Sequence, residues 1–340
     1  MNIIWYVSDR NACGIVRADV PARAIGKYHH GEVCVVCKNS FDVSDIVNAD
    51  VMVFQRACTR DSLMQISAAK QAGIPVVYDI DDDLFCVPEW VQDAHQYFSK
   101  DDVKDVIRQM LCAADVVTTS CDAVSEVVAD RAGVDSIVVP NCIDIGQADL
   151  SLPKPVHTPR TLMGWYGSEV HKPDAKIIGR AVELAMDKHK HLHFSIRGNI
   201  APGDFDVDLS RFGSRVQFSG WALPGALYDM TASYDFALCP VGDGGFNKAK
   251  SPIKLMECAA TGTPCVVSNA EPYKAFGHGS MAMKASNNSA DEWESHINWM
   301  VENPEARLKM GRDVRSCIEA NFDNKIIAQQ WLNVFRSLHG

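Results

Sequence analysis

Lys250, Lys254 and Glu257 cluster around a Ser251-Pro252 step in the run Phe246-Asn-Lys-Ala-Lys-Ser-Pro-Ile-Lys-Leu-Met-Glu257. A serine followed by proline has the form of a helix N-cap with proline at the first helical position. The first turn of such a helix presents N–H groups at the positive end of its dipole, and nearby ammonium groups turn that end into an anion site. Lys254 and Glu257, three residues apart, share one helix face. A cation for diphosphate with a carboxylate one turn deeper, accepting from ribose hydroxyls, is the chemistry a nucleoside-diphosphate sugar requires. Upstream, Val241-Gly-Asp-Gly-Gly-Phe-Asn247 is a glycine loop, so Asp243, Gly244, Gly245, Phe246 and Asn247 can approach phosphates and sugar closely. A solvated Lys–Glu pair on a surface helix, worth about 0.2–0.5 kcal/mol, has the same local pattern.

Three other stretches carry polar chemistry. Gly164-Trp-Tyr-Gly-Ser-Glu-Val-His-Lys172 follows a β-rich run and precedes a helical one; Ser168, His171 and Lys172 can donate to diphosphate oxygens. Arg197, after another strand-like run, is a further contact for diphosphate or base. Asp79-Ile-Asp81-Asp82-Asp83 reads in two ways: carboxylates on a divalent cation, or Asp79 or Asp81 orienting a reacting hydroxyl and receiving its proton. A capped turn opening toward Leu84-Phe85 is the plainer alternative. Cys34-Val-Val-Cys37 has no second C-x-x-C partner for zinc and sits in a β-rich run, so it reads as strand. Lys188-His-Lys-His-Leu-His193 reads as a solvated helix end.

These residues need a scaffold of alternating strands and helices. Apolar β-rich runs at 3–7, 33–36, 51–54, 75–78, 116–119 and 137–139 alternate with helical spacing at 22–28, 62–72, 103–113 and 123–132. A second series follows, with strands expected at 161–166, 193–196, 216–218, 236–239 and 265–268. Its helices are expected at 175–187, 224–234, 252–261, 291–302, 304–321 and 325–338. The stretch Ile143–Thr158, with Gly146, Pro153 and Pro155, reads as a linker. In the last helix Ile327, Trp331, Val334, Phe335 and Leu338 share one face. Such alternation predicts α/β architecture with parallel sheets, whose ligands sit beyond the carboxyl ends of the strands.

Bulk properties agree. The 340 residues suit two domains. A net charge of -10 argues against broad binding to nucleic acid. No apolar run reaches the roughly 20 residues of a membrane span, and the start reads as a strand and not a signal peptide. Twelve scattered cysteines fit free thiols in the cytoplasm.

Taken together, the segment Asp235–Glu257 with Gly262-Thr-Pro264 resembles the donor-binding region of GT-B glycosyltransferases of the retaining GT4-like group. Gly164–His171 resembles that group's "GWxGSxxH" loop, Pro140–Asp144 its "PNGID" hinge with Cys142 in place of glycine, Tyr78–Phe85 a "DxDDDLF" segment of bacterial and phage members, and Gly14-Ile-Val-Arg17 with Pro21 its acceptor-side loop. The resemblance implies two Rossmann-like domains facing across a cleft: 1–145 for the acceptor, 146–322 for the nucleotide-sugar, and 323–340 as a helix packing back on the first. It further implies transfer from a UDP-, GDP- or dTDP-sugar to a glycan, a lipid-linked sugar or a hydroxymethylated base of DNA, with retention and without metal or other cofactor. A non-catalytic nucleotide-sugar-binding protein is the other reading. In the implied site Gly167, Ser168, Lys172, Arg197, Lys250, Ser251, Lys254 and Glu257 hold the donor, and His171 and Lys254 assist catalysis. Gly14, Arg17, Asp79, Asp81 and Asp82 lie on the acceptor side. Many GT4 enzymes carry a first glutamate eight residues before the second; here that position is Ala249.

Overall fold

The computed structural model describes residues 1–9, 12–148, 159–221 and 224–338. The chain forms two compact units: one comprises residues 1–144, 248–251 and 321–340, the other 145–247 and 252–320. Most of the expected linker, residues 149–158, lies outside the described residues.

The first unit is built on β1 (Asn2–Val7), β2 (Cys34–Lys38), β3 (Val51–Gln55), β4 (Val76–Ile80), β5 (Val116–Thr119) and β6 (Ile137–Val138), in the order β2-β1-β3-β4-β5-β6. All pairs are parallel, so every strand-to-strand connection must cross over a face. Alternate side chains feed opposite faces. Trp5, Val7, Val53 and Val77 pack with helices Val20–Tyr28 and Asn324–Leu338, whereas Tyr6, Met52, Phe54, Tyr78 and Ile80 pack with helices Arg60–Gln71 and Asp101–Ala113. The terminal helix folds with this unit: Trp331 meets Trp5 edge-on with centroids 4.6 Å apart, and Phe335 stacks behind it.

Arg17 ties these elements together. It lies in a π-helical turn, Ile15–Asp19, and is 1% exposed. Its Nε and Nη2 donate to Asp79 Oδ2 at 2.9 Å and Oδ1 at 2.8 Å, its other contacts reach the carbonyls of Thr119 and Val139 and Asn141 Oδ1, and its guanidinium lies 5.2 Å over Trp331. Thr118 Oγ1 donates to the same carboxylate at 2.6 Å. One cation thus pins β4, β5, the chain beyond β6 and the terminal helix. Asp79 is wholly buried with both oxygens occupied, so neither it nor Arg17 faces an acceptor hydroxyl; that expectation is corrected. Gly14, at the entry to the same turn, is set by packing: a Cβ there would fall 1.9 Å from the Asp9 carbonyl oxygen.

The second unit carries β7 (Thr161–Gly167), β8 (Leu192–Gly198), β9 (Val216–Ser219), β10 (Phe236–Cys239), β11 (Cys265–Ser268) and β12 (Ala282–Ala285), ordered β12-β11-β10-β7-β8-β9 and again parallel. Its strand order reverses between β7 and β10, the switch point at which such sheets bind ligands. Met163, Trp165, Phe194, Ile196 and Leu238 face helices Lys172–Lys188 and Ala290–Glu302. Helix Ile253–Ala260 packs against β10, β11 and helix Leu227–Ser233.

Helix and strand assignments follow the sequence expectation within a few residues. The short helices Ser44–Asn48 and Gln92–Phe98 and the four-residue strand β12 escape it, because too few turns or alternations exist to show a period. Asp79→Asn leaves the buried Arg17 guanidinium uncompensated and should cost roughly 3–5 kcal/mol; urea unfolding of variant and wild type measures it.

Candidate functional site

The carboxyl edge at the switch point of the second sheet gathers β7, the loop after β10 and the start of helix Ile253–Ala260. The helix begins differently from the sequence expectation. Its N-cap is Pro252, with no side-chain capping bond, and Ser251 Oγ instead accepts from Asn141 Nδ2 at 2.9 Å. Proline has no side-chain acceptor and no N–H, so the first turn keeps the unscreened positive end of its dipole. Lys254 stands on that turn, its Nζ 5.3 Å above the Trp165 ring and 6.0 Å from Tyr166. Aromatic faces hold an ammonium by cation–π attraction without neutralising it.

Glu257 lies one turn on. Tyr166 Oη donates to its Oε2 at 2.6 Å and also reaches the Lys254 carbonyl at 3.2 Å. Desolvation pushes the Glu257 carboxyl up to about 7, opposed by the Tyr166 hydrogen bond and Lys254. Tyr166 stands inside the Gly-Trp-Tyr-Gly stretch but was not singled out as a functional residue; alternation along β7 turns its side chain away from the core that holds Trp165 and toward the helix.

The two glycine loops are tethered to one another. Asp174, buried in the first turn of helix Lys172–Lys188, accepts from the Gly242 N–H at 2.9 Å through Oδ1 and meets His171 Nδ1 at 2.9 Å through Oδ2. Val241 N–H donates to Ser268 Oγ at 2.8 Å, and Asn247 Nδ2 closes the loop onto the Gly242 carbonyl at 2.9 Å. Asp243, Gly244 and Gly245 are exposed at its tip, where Gly244 has φ +141°, while Phe246 is half-buried. Asp174 therefore sets both the loop and the His171 ring, a role its helical surroundings in the sequence hide.

Gly167 is buried beneath Ser168, and Gly198 at the end of β8 has φ +120°; a Cβ there would lie 1.9 Å from the Gly167 carbonyl oxygen. The two strand ends close up only because that position is glycine. The neighbouring Arg197 has a buried Nε with no partner among the described residues. Lys172 instead reaches sideways to Asp204 at 3.5 Å.

Lys250 belongs elsewhere. Residues 248–251 fold with the first unit, where Lys250 Nζ is 2.9 Å from both oxygens of Asp82. Lys250 and Ser251, expected on the donor, are engaged within the first unit by the Asp82 carboxylate and the Asn141 amide. Ala249 is buried in the first unit's apolar cluster, an environment hostile to a carboxylate.

In that first unit the sheet reverses order between β1 and β3, and a second constellation lies at the end of β3 and β4. Arg56, unnoticed in the sequence, has φ +51°, a left-handed conformation of order 1–3 kcal/mol above the norm for a side chain of its kind. Its guanidinium stands 3.5 Å from Asp81 Oδ1 and 4.0 Å from Asp82, and no described residue accepts a hydrogen bond from it. Asp81 Oδ1 is itself buried without a hydrogen bond. Burial pushes the Asp81 carboxyl up, with Arg56 opposing. Asp83, by contrast, caps the turn at Phe85 N–H at 3.0 Å.

With this geometry in hand, solved structures show what the fold is similar to. HepE of Anabaena in complex with UDP and glucose aligns with a TM-score of 0.71 at 15% identity, over 99% of this chain and 100% of that one. A glycosyltransferase from Rickettsia africae aligns at 0.71 and 10% identity over 99% and 98%, and sucrose-phosphate synthase from Thermosynechococcus elongatus at 0.67 and 12% over 99% and 98%. The fold is GT-B. Residues 179–333 match the model of a family described as "Glycosyl transferase-like". No curated protein matches the sequence. Among the described residues no helix is long and apolar enough to cross a membrane.

The raised Glu257 carboxyl has two consequences of opposite sign. Held neutral by the fold, it contributes stability below its ordinary range near 4.5, lost as pH rises toward about 7. Its capacity to accept from two hydroxyls rises over the same interval. A carbon-13 NMR titration should therefore find the Glu257 carboxyl at about 7, and Tyr166→Phe, by removing a hydrogen bond that favours the carboxylate, should move that midpoint upward.

Proposed function

We propose that the protein is a glycosyltransferase that moves a sugar from a nucleoside-diphosphate sugar to an acceptor hydroxyl, with retention and without a metal ion. The observation that carries the reading is the uncapped helix end bearing Lys254 with Glu257 one turn deeper, fixed by Tyr166. HepE, similar in fold, is solved with UDP-glucose and with UDP, which favours a uridine nucleotide as donor here.

In this reading the diphosphate meets the first-turn N–H groups of helix Ile253–Ala260 and the Lys254 ammonium, with Ser168, His171 and the Gly244–Gly245 backbone on its other side. Nδ1 of His171 is engaged by Asp174, so phosphate would meet Nε2. Arg197 supplies its unpartnered Nε–H to phosphate or base. Glu257 accepts from the ribose. These donors stabilise charge as the anomeric C–O bond breaks, and preorganised donors act without further reorganisation. The acceptor oxygen bonds the anomeric carbon on the face the phosphate leaves, and the phosphate oxygen takes the hydroxyl proton.

Arg56 and Asp81 suit the acceptor. A hydroxyl accepts from one group and donates to another, and the pair offers a donor set and an acceptor oxygen that lack such partners. In the aspartate run Asp81 faces Arg56, and Asp82 faces Arg56 and Lys250. Free cysteines throughout fit a reducing compartment such as the cytoplasm.

The test is incubation with UDP-, GDP- and dTDP-sugars, scoring donor hydrolysis and transfer to glycan acceptors. Wild type should turn over one class of donor. Lys254→Ala should lower turnover about 10²–10³-fold, and Glu257→Ala should weaken donor binding by about 1.5–3 kcal/mol. Nucleotide binding without turnover of any donor would point to a binding protein instead.

A further inference from the structure

Cys239, Cys258 and Cys265 form a second constellation, beneath the helix and apart from the groups assigned to the donor. Cys239 ends β10, Cys265 begins β11 two residues out of register on the same face, and Cys258 projects from helix Ile253–Ala260. All three are at most 1% exposed, and their sulfurs lie within 4.8 Å of one another. The Cys265 thiol reaches the Thr263 carbonyl at 3.9 Å. None is in a disulfide.

We propose that this thiol triangle is a binding site for a monovalent soft metal ion, cuprous copper, held by three sulfurs. Thiolates select such ions over hard cations. A metal at about 2.3 Å from each sulfur requires sulfur–sulfur edges of about 4 Å, so the observed triangle closes on an ion with shifts below an ångström. Zinc, by preference tetrahedral, finds no fourth ligand among the described residues. Binding forms Cu–S bonds to the three sulfurs and releases their protons to solvent; the copper keeps its oxidation state. The resulting anionic centre lies one turn from Lys254, whose ammonium offsets part of the charge. The ligands adjoin Pro240, at the root of the glycine loop, and Glu257, so occupancy of the triangle would stiffen the donor site from below.

The test is anaerobic titration of the reduced full-length chain with cuprous ion against the chromophoric competitor bicinchoninate. Exposed thiols at Cys34, Cys86 and Cys112 are removed together as a control by substitution to serine. Wild type and control should each take one equivalent, at least about 100-fold more tightly than Cys258→Ala or Cys239→Ala. Copper-edge X-ray absorption of the wild type should find three sulfurs at about 2.3 Å. Equal uptake by folded Cys258→Ala and wild type, or a two-sulfur copper centre in wild type, overturns the proposal. The absorption measurement decides it even where a variant fails to fold.

Discussion

The second unit depends on a helix that starts without a cap. A serine side chain at the N-terminus of Ile253–Ala260 would have satisfied a first-turn N–H and weakened the site's field; instead Pro252 occupies that position and Ser251 turns to Asn141. The positive end of the helix is left without a side-chain cap. The groups around it hold that end in place. Lys254 rests on aromatic faces, Glu257 is gripped by a tyrosine hydroxyl, and the glycine loop is fastened by Asp174, Ser268 and Asn247.

The two units use charge in contrasting ways. Arg17 and Asp79 form a buried pair whose every strong donor and acceptor has a protein partner, and its work is to hold strands and the terminal helix together. Arg56 and Asp81, a few residues away in the same sheet, stand at ion-pair distance without hydrogen bonds on a strained backbone. Saturated pairs rigidify; unsaturated ones keep donors and acceptors open. The difference comes from position, since Arg17 approaches from a helix beneath the sheet and Arg56 from the loop at its switch point.

Much of this was legible in the sequence. Parallel sheets buried on both faces leave long apolar runs, and eleven of the twelve strands, separated by helical spacing, announce α/β architecture. Lys254 and Glu257 were legible because a helix period places them on one face. The partners were not. Asp174, Tyr166 and Arg56 act through contacts with residues 68, 91 and 25 positions away, and no local pattern encodes such distances. Lys250 hid its partner for the same reason: it is near Lys254 in sequence, but its ammonium meets Asp82, 168 positions back. Asp79 and Asp81 differ by two residues and look alike, yet only the fold decides which one meets an arginine at bonding distance.

The most direct measurement of the central claim is a crystal structure of the protein with UDP. The account predicts both phosphates at the first turn of helix Ile253–Ala260, within hydrogen-bond reach of its N–H groups and of Lys254, with the ribose hydroxyls on Glu257. Phosphates found on the Asp81–Asp82 carboxylates through a bound cation, with Lys254 and Glu257 untouched, would contradict it.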